Sequence, residues 1–199
     1  MVDDNQIQWL TVIVGFTGVI IGSLITGAFT FLSSHISYLN RLKNEQKTIA
    51  KAIDIDLKTI SESFYFKEAY EFHRNNYVFI KEENDFDDII SSFGNMFNTR
   101  LYDDDKDLLY FVFIHDIAKL DYNLSSEIYE FYNVFFKANK YSMYIYRDAF
   151  ESDLLFEENK HTRNASFSTY LDMSESILKC GDNIPKLREK LKEVYELKD

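Results

Sequence analysis

Between Asp4 and Arg41 the chain carries no Asp, Glu, Lys or Arg, and within that interval residues 9–32 read WLTVIVGFTGVIIGSLITGAFTFL. As a helix rising 1.5 Å per residue, those 24 residues extend roughly 36 Å, enough for a hydrocarbon core of about 30 Å with modest tilt. Thirteen of them are Leu, Ile, Val or Phe. At about −0.3 to −0.6 kcal/mol each near a bilayer centre, they contribute roughly −4 to −8 kcal/mol toward insertion. The stretch is therefore expected to be a transmembrane helix.

Two other readings compete. A cleaved signal peptide needs a basic leader and a shorter apolar core of about 7–15 residues, whereas this leader, MVDDNQIQ, is acidic and the run is long. Thr26-Gly27-Ala28 does resemble a small-residue cleavage site. A buried core helix is the other possibility. For a span, the positive-inside rule sets the orientation: Asp3 and Asp4 flank one end, and Arg41, Lys43, Lys47 and Lys51 follow the other. The expected topology is an N-terminus outside and a cytoplasmic C-terminal domain at the cell membrane. Trp9 and Tyr38 suit interfacial anchors, and the four bases suit anionic headgroups.

Four of the six glycines lie in the run: Gly15, Gly18, Gly22 and Gly27. Glycine is a poor helix former, so lipid alone does not account for them. Gly18, Gly22, Thr26, Thr30 and Ser34 succeed one another at i+4, and a second ridge runs Thr11, Gly15, Val19, Ser23, Gly27. Small residues along a ridge let two helix backbones approach in lipid. Gly15, Gly18, Gly22, Ser23, Thr26, Gly27 and Thr30 are thus the candidate helix-association residues, and a homo-oligomer is expected. A pore lined by Thr17, Ser23, Thr26 and Thr30 is the sharper alternative, but no ionisable residue marks an ion route.

The rest of the chain is long enough for a core of its own. It holds one proline and two glycines, and most of the 18 Phe and 14 Tyr. Such a composition argues for a packed bundle, not disorder. All 22 basic residues follow the run and face 31 of the 33 acidic ones, a net charge of −9 for this part. A domain this acidic repels phosphate backbones, so no nucleic-acid partner is expected. The lone Cys180 excludes an internal disulfide and reads as a small core residue near a helix end.

The organisation expected is all-α: a leader over residues 1–8, the span over 9–32, a juxtamembrane stalk helix over 33–64 and a cytoplasmic bundle of about five or six helices over 65–199. Ile49, Ile53, Leu57, Ile60 and Phe64 make the stalk's apolar stripe, with a kink conceivable at Ser33-Ser34-His35. Residues 67–75 suggest a short helix broken at Asn75-Asn76, and Tyr77-Val78-Phe79-Ile80 an extended run. Asp85 opens a helix with Phe86, Ile89, Ile90, Phe93 and Phe97 on one face. The run LLYFVFI at 108–114 reads as strand or helix. Asn123 is expected to cap a helix burying Leu124, Ile128, Phe131, Phe135, Ala138 and Ser142, with Tyr129, Tyr132 and Phe136 beside them. After a polar break near 159–164, a helix with Phe167, Leu171, Ser174 and Leu178 should stop at Gly181. Asn183 and Pro185 should start a last one carrying Leu187, Leu191 and Val194.

No chemical motif is complete. Asp103, Asp105 and Asp107 resemble the start of a calcium loop, but Leu108 and Ile114 stand where it needs Gly and Glu. His35, His73, His115 and His161 form no local metal pair. His115 with Asp116 and Asp121 is the nearest thing to an oriented base, and a histidine at the edge of an aromatic core is the commoner case. No phosphate loop or nucleophile elbow occurs. The expectation is a non-enzyme with no cofactor and no metal.

The acidic leader, the stretch GVIIGSLITGAFTFLSSHIS and the segment IAKLDYNLSSEIYEFYNVFF at 117–136 resemble small single-span membrane proteins of bacteria and archaea that carry a cytoplasmic helical domain. That resemblance implies an architecture and brings no active site with it. The function expected is a non-catalytic anchored protein that self-associates through its Gly-rich span and presents an acidic surface to a cytoplasmic protein. The alternative is a membrane-perturbing effector triggered through its cytoplasmic domain.

Overall fold

The computed structural model describes residues 4–82, 108–152 and 160–197. Five α-helices occur among them: α1 (Asp4–Glu62), α2 (Phe64–Glu82), α3 (Leu109–Phe113), α4 (Tyr122–Ser152) and α5 (Lys160–Tyr195), with a 3-10 turn at Ile117–Lys119. There is no strand among the described residues. The protein is all-helical, as its periodicity implies. It divides into two compact units, Met1–Glu45 and Gln46–Asp199, and the division falls inside α1.

The first unit is a single helix. It shows no break at Ser33-Ser34-His35. Its hydroxyls bond back to carbonyls of their own helix: Thr17 to Ile13 (2.7 Å), Ser23 to Ile20 (2.9 Å), Thr26 to Gly22 (2.8 Å) and Thr30 to Thr26 (2.9 Å). Each such bond satisfies a polar group that an apolar helix otherwise leaves exposed.

The second unit gathers the last turns of α1, α2 and the other helices around one main core. Ile49, Ile53, Leu57 and Ile60 are buried there, as their spacing predicts. Phe64 is not: the helix ends at Glu62, α2 begins at Phe64, and that ring is 70% exposed. From α4 the core takes Leu124, Ile128, Phe131, Tyr132 and Phe135, and from α5 Cys180, Ile184, Leu187 and Leu191. Val194, expected on the same stripe, is exposed. Full burial of side chains this large supplies about 1.5–3 kcal/mol each. A smaller cluster joins Ala138, Tyr170, Met173 and Ile177, with Ala69, Tyr70 and Phe72 of α2 packed against it.

Three expected boundaries fail. Asn75-Asn76 does not end a helix, and residues 77–80 are not extended, because α2 runs unbroken to Glu82. Asn76 turns its amide to the carbonyl of Phe72 (2.9 Å), so it bonds within the helix instead of opening it. Asn123 is not the cap of α4. Asp121 is, its Oδ1 accepting the N–H of Asn123 (3.0 Å) and Leu124 (3.2 Å).

The third concerns α5, where one helix replaces two. It begins at Lys160, inside the polar break expected near 159–164, and passes through both Gly181 and Pro185. Gly181 has a packing role: a Cβ there would sit 2.2 Å from the Tyr70 ring. Pro185 cannot donate to the carbonyl four residues back, which is that of Gly181. Cys180 is therefore a core residue in mid-helix and not near an end. The run at 108–114 resolves as the short helix α3. The helix expected from Asp85 and the aspartates at 103, 105 and 107 lie outside the described residues.

Candidate functional site

Every side chain from residue 12 to residue 40 is exposed. Trp9 is 69% exposed, and Val19, Phe29 and Phe31 are each near 70%. The most apolar 18-residue window of α1 has a mean hydropathy of 2.1 and is 0% buried. By length and composition this is a helix able to cross a membrane. The core helix of a water-soluble protein with such a composition is mostly covered by its neighbours.

The glycines of this helix differ from Gly181. A Cβ added at Gly15, Gly18, Gly22 or Gly27 would meet nothing within 4 Å, so no contact among the described residues asks for glycine there. With about 100° of turn per residue, Gly18, Gly22, Gly15 and Thr26 share an arc of about 80°. Ser23 and Thr30 lie further round, and Gly27 about 180° from Gly18. The seven candidate residues thus resolve into a narrow glycine face plus a trailing flank.

Of the expected interface residues, Tyr38 is exposed and Arg41 pairs with Glu45 on its own helix (3.0 Å). Lys43 is exposed in the same unit. Lys47 and Lys51 are exposed too, but they belong to the second unit and flank the buried Ile49 and Ala50.

Inside the second unit the chief polar feature is Asp56, only 3% exposed. Its carboxylate accepts the N–H of Leu109 (2.9 Å) and Tyr110 (2.6 Å), and the hydroxyl of Tyr132 (3.2 Å). Leu108, the residue before α3, supplies no side-chain cap, so Asp56 of α1 caps α3 from another helix. Burial pushes its pKa up from the ordinary carboxylate value, and the two backbone N–H groups and the Tyr132 hydroxyl pull the other way. Around it, Tyr110 stacks on Tyr132 with ring centroids 3.8 Å apart. The segment after α3 is held by similar bonds: Tyr129 donates to the carbonyl of Ile114 (2.7 Å), and Gln46 to that of Lys119. Asp54 of α1 pairs with Arg188 of α5 (2.7 Å). Sequence reasoning passed over Asp56, although an acid at 56, one step from Leu57 in the stripe of 49, 53, 57 and 60, is the signal of a buried carboxylate.

The histidines do not converge. His35 is exposed and lies against the Phe31 ring (6.2 Å), and His115 is exposed. Asp116 pairs with Lys119 (2.8 Å) while Asp121 caps α4, so neither carboxylate is turned to orienting His115. His73 is 4% exposed, and burial lowers its imidazole to about 4. Burial also drives the Cys180 thiol up to about 12, which keeps it protonated and unreactive. Among the described residues no group of three His, Cys, Asp or Glu could hold a metal ion. A cleft of about 390 Å³ lies between α4 and α5 over Phe131, Val134 and Leu187, and its rim is bridged by Lys179–Glu130 (2.6 Å) and Lys190–Glu127 (2.7 Å).

The fold and site together define an all-helical protein with one helix long and apolar enough to span a bilayer. Compared with known protein families, curated proteins and solved structures, the chain matches none.

Proposed function

We propose that this chain is a single-pass, non-catalytic membrane protein that self-associates through α1 and holds its acidic helical bundle in the cytoplasm for a protein partner. The observation that carries the reading is the uninterrupted exposure of residues 12–40 in a helix without a charge between Asp4 and Arg41. In water, sixteen uncovered large apolar side chains, at about 25 cal/mol per Å², are a large standing cost, and hydrocarbon removes it. Arg41 and Lys43, about 14 and 17 Å of helix past Leu32, set the inner boundary. Tyr38 and Trp9 anchor the two ends.

The membrane-perturbing effector is the second reading. No ionisable residue between Asp4 and Arg41 marks an ion route, which weighs against a conducting path. Membrane fractionation combined with a C-terminal tag tests the leading reading. The full-length chain should stay in the membrane pellet through alkaline carbonate and require detergent for release, with the tag shielded in intact cells. A soluble chain, or a tag labelled from outside, refutes it. Dye leakage on overexpression would favour the effector.

A further inference from the structure

Apart from the span, the second unit contains an uncommon arrangement at the seam between α2 and α5. Tyr70 donates its hydroxyl to Asp182 (2.7 Å), and seven residues on Tyr77 donates to Glu175. These two phenol–carboxylate bonds clip the exposed edge of α2 along α5. Between them, at 73, the helix turns an imidazole into the smaller apolar cluster. The His73 ring lies 5.6 Å from that of Tyr170 and edge-on to Phe72 (5.2 Å). Its Nδ1 has no hydrogen-bond partner among the described residues.

An imidazolium there would need a polar partner, and no carboxylate among the described residues bonds to it. The titratable group in contact with it is Tyr170, whose phenol burial drives up and keeps neutral. The charged groups on the surrounding helices, Arg74 of α2, Lys137 of α4 and Asp172, Glu175 and Asp182 of α5, are all exposed. None of them contributes to the depression at His73, which burial alone causes.

We propose that α2 beyond Phe66 is an acid-released strap: protonation of His73 detaches residues 70–82 from the α4–α5 face, uncovering Ala138, Tyr170, Met173 and Ile177, while Phe66 stays against Phe135 and the main core stays folded. The inference concerns the second unit alone and does not depend on the span.

The sign follows from linkage. The imidazole titrates at its ordinary 6.5 when α2 is open and at about 4 when α2 is closed, so the open form binds more protons between those values. The closed state is fully favoured above 6.5 and loses ground as the pH falls toward 4. From pH 8 to pH 5 the open-to-closed ratio rises about 30-fold.

Hydrogen exchange read by mass spectrometry on the full-length protein in nanodiscs, at pH 8, 6.5 and 5 and normalised to intrinsic rates, tests the strap. Amides of residues 70–82 should lose about 30-fold in protection over that range, and those of residues 128–138 should keep theirs. His73→Phe should flatten the response. The double variant Glu175→Gln with Asp182→Asn, which leaves an acceptor for each phenol but no titrating carboxylate, should retain it. A pH-independent α2, a parallel loss in residues 128–138, an unaltered response in His73→Phe, or a flat one in the double variant each overturns the proposal.

Discussion

Asp56 illustrates what a single buried residue does here. At neutral pH its carboxylate is desolvated, which costs stability, yet it satisfies two backbone N–H groups at the start of α3 and the Tyr132 hydroxyl. Removing the acceptor leaves those donors buried and unmet, at about 1–3 kcal/mol for each such group and partly offset by the lost desolvation. Asp56→Ala should therefore lower stability by about 2–4 kcal/mol, and Asp56→Asn by less, since one amide oxygen still accepts. Thermal melts of the full-length protein in detergent, followed by circular dichroism, check both; an unchanged melt for Asp56→Ala would show that α3 needs no cap. Because burial raises this acid, its own contribution is greatest below the ordinary value of 3.8 and declines as pH rises, opposite in sign to His73. Gly181 makes a second case at this scale. Gly181→Ala forces the Tyr70 ring off its seat, and about 1–3 kcal/mol of overpacking is expected. Gly181→Ala combined with Tyr70→Leu should recover part of that loss. A double variant no better than the sum of its parts would mean the clash is relieved elsewhere. Neither residue's role was legible in the sequence. The partners lie 53, 54 and 76 positions from Asp56 and 111 positions from Gly181, and spacing along one helix carries no information about them.

At the scale of elements, legibility followed the strength of periodicity. The stripe of α4 at 124, 128, 131, 135, 138 and 142 is buried throughout, because six apolar or small residues at helical spacing leave only one face to bury. Breaker residues misled where tertiary contacts overrode local propensity. Gly181 sits inside α5 because packing against Tyr70 outweighs the roughly 1 kcal/mol that one glycine costs a helix, Pro185 is carried there at a cost of about 3 kcal/mol, and Asn76 stays inside α2 by bonding to the carbonyl of Phe72. In α1 the same propensity argument runs the other way. Four glycines weaken α1 where an added Cβ would meet no described residue within 4 Å, and under the self-association proposed above a second helix offsets that cost. Gly22→Ile fills the centre of the glycine face and should abolish self-association in an in-membrane two-hybrid assay. Gly27→Ile, about 140° away from Gly22, should leave most of it. Equal loss from both would argue against one defined face, and equal, monomer-level signals from the natural helix and Gly22→Ile would argue against any association.

For the molecule as a whole, the two units differ in where their apolar side chains lie, exposed along the first and buried in the second. Residues 4–45 form one helix whose side chains from 12 to 40 are all exposed, whereas from Gln46 onward nineteen of the described residues are buried in the main core. Only Arg41 and Lys43 among the bases, and Asp3, Asp4 and Glu45 among the acids, lie before Gln46, so the second unit keeps twenty bases against thirty acids, a net charge of −10. Such a charge favours solubility, and the core supplies the cohesion. A chain of residues 46–199 should therefore be soluble without detergent and melt cooperatively, because the α1 residues its core uses, Ile49, Ile53, Leu57 and Ile60, and the bonds from Gln46, Asp54 and Asp56, all remain. Beginning the chain at residue 65 instead removes that whole face, and with it four fully or nearly buried aliphatic side chains and the cap of α3. That shorter chain should aggregate or remain unfolded. Gel filtration and thermal melts of the two fragments distinguish the cases. If the chain of 65–199 folds as well as that of 46–199, the last four turns of α1 are a linker and not part of the bundle, and the 33–64 stalk read from the sequence is the better description.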